Sequence, residues 1–170
     1  MPTVRLSRPG DRAWRIGLVN GPNMPNIGRR NPKDYGGLTI EQLEQHVRDT
    51  ACGLGVVLAS TVCSNHEGDL LDWIHAEHHQ LDGIVINPAG LTPYGEATRH
   101  ALEDTGLPVI EVQLRQHRTA SRTSVFTPSV VRTCMGLHKH GYTAALVGMT
   151  CMLDDGDFLP PLLQVSRQDA

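Results

Sequence analysis

Three observations predict a single globular domain with an α/β fold. Short apolar segments alternate five times with amphipathic segments, a pattern typical of parallel strands joined by helices. The chain has 170 residues, enough to bury the core of one domain without disulfides or metal. Hydrophobic residues make up 39% of the composition and charged residues 19%, as in globular proteins. We therefore expect a flavodoxin-like, doubly wound sheet of five parallel strands in a three-layer α/β/α arrangement.

The first strand and the first helix are predicted close together in the chain. Residues 15–20, RIGLVN, form a short apolar segment that is typical of a buried strand. Residues 38–55 are predicted as a helix, because Thr39 and Gln42 have the spacing of a capping box. This helix would bury the apolar residues that recur on one of its faces, Leu43, Val47 and Ala51.

The middle of the chain contains two further strands with a helix between them. The strands are predicted at residues 56–63, VVLASTVC, and 83–87, GIVIN, which are short, apolar and rich in β-branched side chains. Residues 66–82 have the amphipathic pattern of a helix. Its inward face would consist of Leu70, Trp73, Ile74 and Leu81.

The rest of the domain is predicted to contain two helices and two strands. A helix over residues 93–106 would have Thr92 as its N-cap and Pro93 as its first residue. The apolar segment PVIEVQL, residues 108–114, is predicted as a strand. The last elements would be a short strand near residues 130–135 and a helix near residues 140–152.

The folded domain is expected to span residues 14–152. Residues 1–13 lack periodicity and are predicted to be an N-terminal extension. Residues 153–170 are acidic, then proline-rich, then polar, and are predicted to be a C-terminal tail.

Charge and composition argue against several classes of partner. The formal net charge of -3 gives no reason to expect nucleic acid or an anionic membrane. No apolar run approaches the roughly 20 residues that cross a bilayer. The cysteines show neither a CxxC motif nor zinc-ligand spacing, so we expect reduced, mostly buried thiols in a cytoplasmic protein: Cys52, Cys63, Cys134 and Cys151.

Three of the predicted strands end at a side-chain amide. These residues are Asn20, Asn87 and Gln113. Ligands of doubly wound sheets bind beyond the carboxyl ends of the strands, where the strand order reverses. We therefore expect the functional site at this edge of the sheet.

The segment from residue 20 to residue 37, NGPNMPNIGRRNPKDYGG, has no helical or strand period and contains Arg30 and Tyr35. It could cradle a phosphate, but it matches neither GxGxxG nor GxxxxGK[ST]. A tyrosine loses its proton near pH 10, so it acts as a base at neutral pH only when a cation stabilises the phenolate. Arg30 could be that cation. Alternatively, Tyr35 packs against the first helix and the arginines are solvated.

The histidines His75, His78 and His79 have a helical spacing that could hold a metal. No carboxylate or cysteine motif completes such a site, so a solvated helix face is the better interpretation, and the same holds for His138 and His140. We predict no metal site.

Taken together, the motifs closely resemble those of the type II 3-dehydroquinate dehydratases. The stretches that match family motifs, in order and spacing over about residues 15–147, are NGPNMPNIGRRNPKDYG, SNHEGDLLDWIH, INPAGLT, PVIEV and GYTAAL. The resemblance implies a flavodoxin-like subunit that assembles as a dodecamer of four trimers and needs no cofactor or metal. It also implies loss of water from a cyclic β-hydroxy ketone through an enolate.

The resemblance further implies roles for individual residues. Arg30 and Tyr35 would be the lid arginine and the tyrosinate that removes the proton alpha to the carbonyl. Asn87 would stabilise the enolate oxygen through a water. Asn23 and Glu111 match the second asparagine of NGPN and the glutamate of the EVH stretch, and both are predicted to bind substrate.

The sequence departs from the family pattern where the family supplies its acid and its contacts to ring hydroxyls. Gln113 replaces the EVH histidine, and Pro93 replaces the histidine of NPAGx(T/S)H. The following SN is Arg115-Gln116, and the loop beyond is about three residues shorter, so that Arg118 or Arg122 could replace its arginine. Other departures are Asn31, Gly95 and Arg99-His100. We expect a reshaped pocket lined by Pro93, Gln113, Leu114 and Arg115.

These departures predict an enzyme with the family's base but a different substrate. Glutamine cannot deliver a proton at any useful pH, and proline has no polar side chain. We expect proton abstraction alpha to the carbonyl of a small molecule other than dehydroquinate, under a mobile lid formed by residues 20–37. Elimination, isomerisation or cyclisation would follow, in specialised metabolism. Two alternatives remain: an authentic 3-dehydroquinate dehydratase that uses a water or His117 as acid, and a non-catalytic oligomeric binding protein.

Overall fold

The computed structural model describes residues 12–116 and 123–156, and its sheet confirms the predicted fold class. Five strands pair in parallel in the order β2-β1-β3-β4-β5. The strand order reverses at β1, as in doubly wound sheets. The strands are β1 (Arg15–Asn20), β2 (Val57–Cys63), β3 (Gly83–Asn87), β4 (Val109–Gln113) and β5 (Arg132–Met135).

Helices cover both faces of the sheet. The α-helices are α1 (Pro32–Tyr35), α2 (Ile40–Gly53), α3 (Glu67–Glu77), α4 (Glu96–Asp104) and α5 (His140–Asp155). Three short 3-10 helices span Met24–Arg29, His78–Gln80 and Ala89–Leu91. Helices α2 and α5 pack together on one face, and α3 and α4 pack together on the other.

The core is divided into two clusters, one on each face of the sheet. Successive side chains of a strand point to opposite faces, so Leu18 of β1 joins one cluster and Val19 joins the other. Gly17 of β1 allows a close approach from α3: a Cβ atom there would lie 2.7 Å from Cη2 of Trp73. Trp73 also donates from Nε1 to Oγ of Ser60, at 3.0 Å. The predicted inward position of Trp73 is therefore correct, although its ring is only half-buried.

The first helix predicted from the sequence is α2 of the structure, and it begins as the capping box predicts. Thr39 is the N-cap of α2, where its Oγ1 accepts from the backbone N–H of Gln42 and its own backbone N–H donates to Oε1 of Gln42. Helix α3 is shorter than the predicted 66–82, because the chain tightens into a 3-10 turn after Glu77. Helix α5 runs to Asp155 and so crosses the predicted domain end at residue 152.

The start of the helix predicted over residues 93–106 is wrong. Helix α4 begins at Glu96 rather than at Pro93, with Gly95 as its N-cap. Thr92 does not cap this helix: its hydroxyl donates to the carbonyl of Ala89 at 2.8 Å and so closes the preceding 3-10 turn. Gly95 is buried where a Cβ atom would lie 2.8 Å from the ring of Phe126, so packing between distant segments contributes to this boundary.

The segment from residue 20 to residue 37 is more ordered than the sequence indicates. It contains the 3-10 helix Met24–Arg29 and the single turn of α1, rather than a continuous irregular loop. Met24 and Ile27 are each only 2% exposed and belong to the core cluster under α2. Its first half is thus anchored in the core, so the predicted lid would be limited to the less buried part around α1.

The cysteines are less buried than predicted. Cys52 is exposed, and Cys63, Cys134 and Cys151 are half-buried free thiols. Within residues 12–116 and 123–156, none of the helices has both the length and the apolar character needed to cross a membrane.

Candidate active site

A cleft of about 210 Å³ lies beyond the carboxyl ends of β1, β3 and β4, at the edge where the sequence predicts a site. Polar and apolar side chains both contribute to its wall. The lining residues are Asn23, Met24, Arg30, Tyr35, Asn87, Ala89, Gly90, Gln113, Leu114 and Arg115.

The floor of the cleft is a hydrogen-bonded set of buried side chains. Asn20 and Asn87 are paired neighbours at the ends of β1 and β3. The Tyr142 hydroxyl lies between them, donating to Oδ1 of Asn20 at 2.7 Å and accepting from Nδ2 of Asn87 at 2.9 Å. Oδ1 of Asn87 also accepts from the backbone N–H of Ala89 at 3.1 Å, so this amide is held in one orientation.

Burial keeps the Tyr142 hydroxyl in its neutral form. The side chain is fully buried, and this desolvation raises the pKa of Tyr142 far above its ordinary value. The phenol therefore remains a hydrogen-bond donor throughout the physiological pH range. Tyr142 is a structural support for Asn87.

Tyr35 has a very different environment on the opposite wall. It is the last residue of α1, a turn capped by the Asn31 side chain, which accepts from the backbone N–H of Lys33. Nη2 of Arg30 donates a hydrogen bond to the Tyr35 hydroxyl, and its guanidinium carbon lies 3.7 Å from the ring centroid. The Arg115 guanidinium lies 6.0 Å from the same centroid. Two cations therefore flank one half-buried phenol.

Gln113 points its amide nitrogen into the protein. Nε2 donates to Oγ1 of Thr92 and to Oε1 of Glu111, both at 2.8 Å, which uses both of its hydrogens. Oε2 of the buried Glu111 accepts from the Ser124 hydroxyl at 3.0 Å. The group that Gln113 can offer to the cleft is its carbonyl oxygen, an acceptor.

Asn23 is held at the mouth of the cleft in an unusual conformation. Its φ of 76° lies in the left-handed region, which asparagine tolerates better than most residues. Its backbone N–H donates to Oδ1 of Asn65 at 2.9 Å. Gly90 donates to the carbonyl of Pro22 at 3.1 Å, so the loops after β1 and β3 are joined beside the cleft.

Most of the predicted site residues meet in this cleft. The structure brings together Asn23, Arg30, Tyr35, Asn87, Gln113, Leu114 and Arg115. Glu111 lies behind Gln113 with no exposed surface, and Pro93 is half-exposed outside the lining. His117, Arg118 and Arg122 lie outside the described residues.

Tyr142 is the site residue that the sequence did not reveal. Its motif, GYTAAL, was recognised, but a tyrosine on an apolar helix gives no sign of its partners. Thr92 and Ser124, which help to fix the side chains of Gln113 and Glu111, were also missed as parts of the site.

The helical histidines form no metal centre. The rings of His78 and His79 lie close together, with centroids 3.7 Å apart and their planes tilted by 41°. Across residues 12–116 and 123–156, no group of three or more histidine, cysteine, aspartate or glutamate side chains is placed to hold a metal ion.

The sheet and the cleft define an α/β protein in which an arginine contacts a phenol beside buried amides, and comparison with known proteins gives its family. Residues 14–150 match the family model described as dehydroquinase class II. The chain therefore belongs to the class II dehydroquinase family.

Individual relatives agree with this assignment. The chain is 40% identical to a 3-dehydroquinate dehydratase of Roseiflexus castenholzii over 135 residues, 78% of this chain and 85% of the relative. It is 42% identical to 3-dehydroquinate dehydratase 2 of Pseudomonas putida over 132 residues, 76% of this chain and 88% of the relative. The crystal structure of the type II dehydroquinase from Propionibacterium acnes superposes with a TM-score of 0.76 at 30% identity, covering 84% of this chain and 99% of that one.

Proposed function

We propose that this protein is a dehydroquinase-like lyase that removes a proton alpha to the carbonyl of a small anionic substrate other than dehydroquinate. Tyr35 is the base, and Arg30 stabilises its phenolate. The observation that carries the proposal is the hydrogen bond from Arg30 to Tyr35 inside the cleft that Asn87 also lines.

The surroundings of Tyr35 fit its proposed role as a base. The Arg30 guanidinium donates a hydrogen bond to the phenol oxygen and so places a positive charge beside the proposed base. Arg115 adds a second positive charge, 6.0 Å from the centroid of the ring. A base made in this way needs no metal to act at neutral pH.

The floor of the cleft suits the enolate that proton removal would create. Tyr142 and Ala89 each take one hydrogen-bonding group of the Asn87 amide, and one Nδ2 hydrogen of Asn87 is left to face the cleft. A donor held in place by its surroundings stabilises developing negative charge without having to reorient. Asn87 would act directly or through a water.

The wall opposite the base supports a substrate other than dehydroquinate. Among the described residues that line the cleft, the titratable side chains are Tyr35, Arg30 and Arg115. Gln113, which stands where the family motif has a histidine, presents a carbonyl oxygen and cannot protonate a leaving hydroxyl. Arg30 and Arg115 suit a substrate with a carboxylate, which dehydroquinate also has, so the argument for another substrate rests on Gln113.

Restoring an acid at residue 113 tests this proposal. Gln113→His, alone and with Pro93→His, should increase the dehydration of 3-dehydroquinate about 10²- to 10⁴-fold, the usual contribution of one general acid. The product is followed by the absorbance of its conjugated enone. Gln113→Leu is the matched control and should give no gain, and adding Tyr35→Phe should abolish the gain.

A second experiment isolates the first chemical step. Wild-type protein incubated with 3-dehydroquinate in D₂O should exchange the proton alpha to the carbonyl, which mass spectrometry detects without any dehydration. Exchange that is equally fast in Tyr35→Phe would exclude Tyr35 as the base.

A second candidate function is authentic 3-dehydroquinate dehydration. It is favoured by the names of the two relatives that are 40% and 42% identical to this chain. It predicts that the wild-type protein already dehydrates 3-dehydroquinate rapidly and that Gln113→His gives no gain.

We also propose, from the family resemblance, that the subunits assemble through trimers into a dodecamer in the cytoplasm. Light scattering coupled to size-exclusion chromatography gives the mass of the assembly directly. A monomer at micromolar concentration would contradict the proposal.

A further inference from the structure

A second cavity lies behind α1, on the side of the lid that faces α5. Its volume is about 140 Å³, and its wall consists of Gly36, Leu38, His138, Lys139 and His140. We call it the histidine pocket. Three of its five lining side chains are basic, and none of them is acidic.

A fourth basic side chain borders the pocket from α2. The rings of His46 and His140 are arranged edge to face, with centroids 6.0 Å apart. Nε2 of His46 lies 2.9 Å from Oγ1 of Thr143, which fixes the ring beside the start of α5. Burial lowers the pKa of His46, and the positive charges of Lys139 and His140 lower it further, whereas Asp49 opposes them. His46 is therefore less readily protonated than a free histidine, and Lys139 is the principal cation at this pocket.

The backbone of His138 is held in an unfavourable conformation. Its φ of 48° lies in the left-handed region, which is uncommon for residues other than glycine, although histidine, like asparagine and aspartate, is found there more often than most. Its backbone N–H donates to the carbonyl of Leu114 at 3.0 Å. Strain of this kind persists where surrounding contacts enforce it, and it is concentrated at functional sites.

The pocket touches both walls of the active-site cleft. Gly36 directly follows Tyr35, and a Cβ atom at Gly36 would lie 3.3 Å from Cβ of His138. On the other side, His138 is bonded to Leu114, which lines the cleft next to Arg115. A ligand in the histidine pocket would thus contact the end of α1 and the segment before α5 together.

We propose that the histidine pocket binds a small oxyanion, a phosphate or carboxylate group of a metabolite distinct from the substrate, and that this ligand holds α1 against α5. Lys139 supplies a permanent positive charge, and His138 and His140 supply N–H donors. Phosphate binds more tightly than a monocarboxylate because it carries more charge. The proposal does not depend on the reaction catalysed in the cleft.

Calorimetric titration of the full chain with inorganic phosphate, and in parallel with acetate, tests the proposal at low ionic strength. The dissociation constant for phosphate should rise about tenfold or more in Lys139→Met, since a charge-assisted contact is lost. His138→Asn should weaken binding similarly, while asparagine still tolerates the left-handed backbone. Arg48→Met removes an exposed cation of α2 outside the pocket and should leave the dissociation constant unchanged.

Three results would overturn the proposal. The first is no measurable heat with phosphate at millimolar concentration. The second is equal affinity in wild type and Lys139→Met. The third is binding that Arg115→Met abolishes but Lys139→Met does not, which would place the anion in the active-site cleft. Tighter binding of acetate than of phosphate would show that the pocket prefers carboxylates, which would still support the proposed oxyanion site.

Discussion

Tyr142→Phe removes one hydroxyl from the floor of the cleft and should destabilise the protein strongly. Oδ1 of Asn20 loses its donor and Nδ2 of Asn87 loses its acceptor, in side chains that are 0% and 2% exposed. A buried polar group left without a partner costs about 1–3 kcal/mol. Nδ2 of Asn20 is already a buried donor without a partner. Rotating that amide by half a turn would therefore not rescue the variant, because it would only exchange one unpaired atom for another. We therefore expect the free energy of unfolding to fall by about 2–4 kcal/mol.

The measurement is urea denaturation of the wild type and of two Tyr→Phe variants. Tyr94 is 79% exposed, so Tyr94→Phe is a matched control that should change the unfolding free energy by less than about 0.5 kcal/mol. The denaturation slope should be the same in all three proteins, because the surface exposed on unfolding does not change. A loss for Tyr142→Phe no larger than that for Tyr94→Phe would refute the hydrogen-bonded floor.

Three further predictions concern the lid, the helix cap and alkaline pH. Tyr35→Phe should leave the unfolding free energy within about 0.5 kcal/mol of wild type, since the phenol is half-buried. The same variant should abolish proton exchange in D₂O. A large loss of stability with exchange retained would contradict the proposed role of Tyr35 as the base. Thr39→Ala removes the acceptor of the capping box and should cost about 1 kcal/mol in urea denaturation, whereas Thr133→Ala at an exposed strand position should cost clearly less. Burial raises the pKa of Cys63 to about 12, and it raises the pKa of Tyr142 as well. Above pH 9 the unfolded chain therefore loses these protons while the folded chain keeps them, so the free energy of unfolding should fall as pH rises. The fall should be less steep in Cys63→Ala. An unchanged pH profile in that variant would be inconsistent with the raised pKa.

Local chemistry explains which elements the sequence predicted correctly. β1 spans residues 15–20 as predicted because its apolar segment ends sharply at Asn20. The start of α2 is set by Thr39 and Gln42, which lie three residues apart, so sequence spacing alone is sufficient. The strand ends that carry Asn87 and Gln113 were found for the same reason.

Contacts between distant segments explain what was missed. Tyr142 lies 122 residues from Asn20 and 55 from Asn87, so no local pattern could connect them. The ring of Phe126 against Gly95 contributes to the late start of α4, and these residues are in different elements. Likewise, burial of Met24 and Ile27 in the core organises a segment whose own composition indicates an irregular loop.

Two of the chain's tyrosines show how environment assigns chemistry to one side chain type. Tyr142 is fully buried in the core, and this burial keeps it neutral and able to donate. Tyr35 lies on a single helical turn at the edge of the cleft, where Arg30 contacts its oxygen and Arg115 stands nearby. Different surroundings thus separate the proposed acid–base group from the residue that supports the floor of the cleft. Tyr35 and Tyr142 would thus act on the same enolate. Tyr35 starts the reaction by removing the proton, and Tyr142 holds in place the Asn87 amide that would stabilise the enolate.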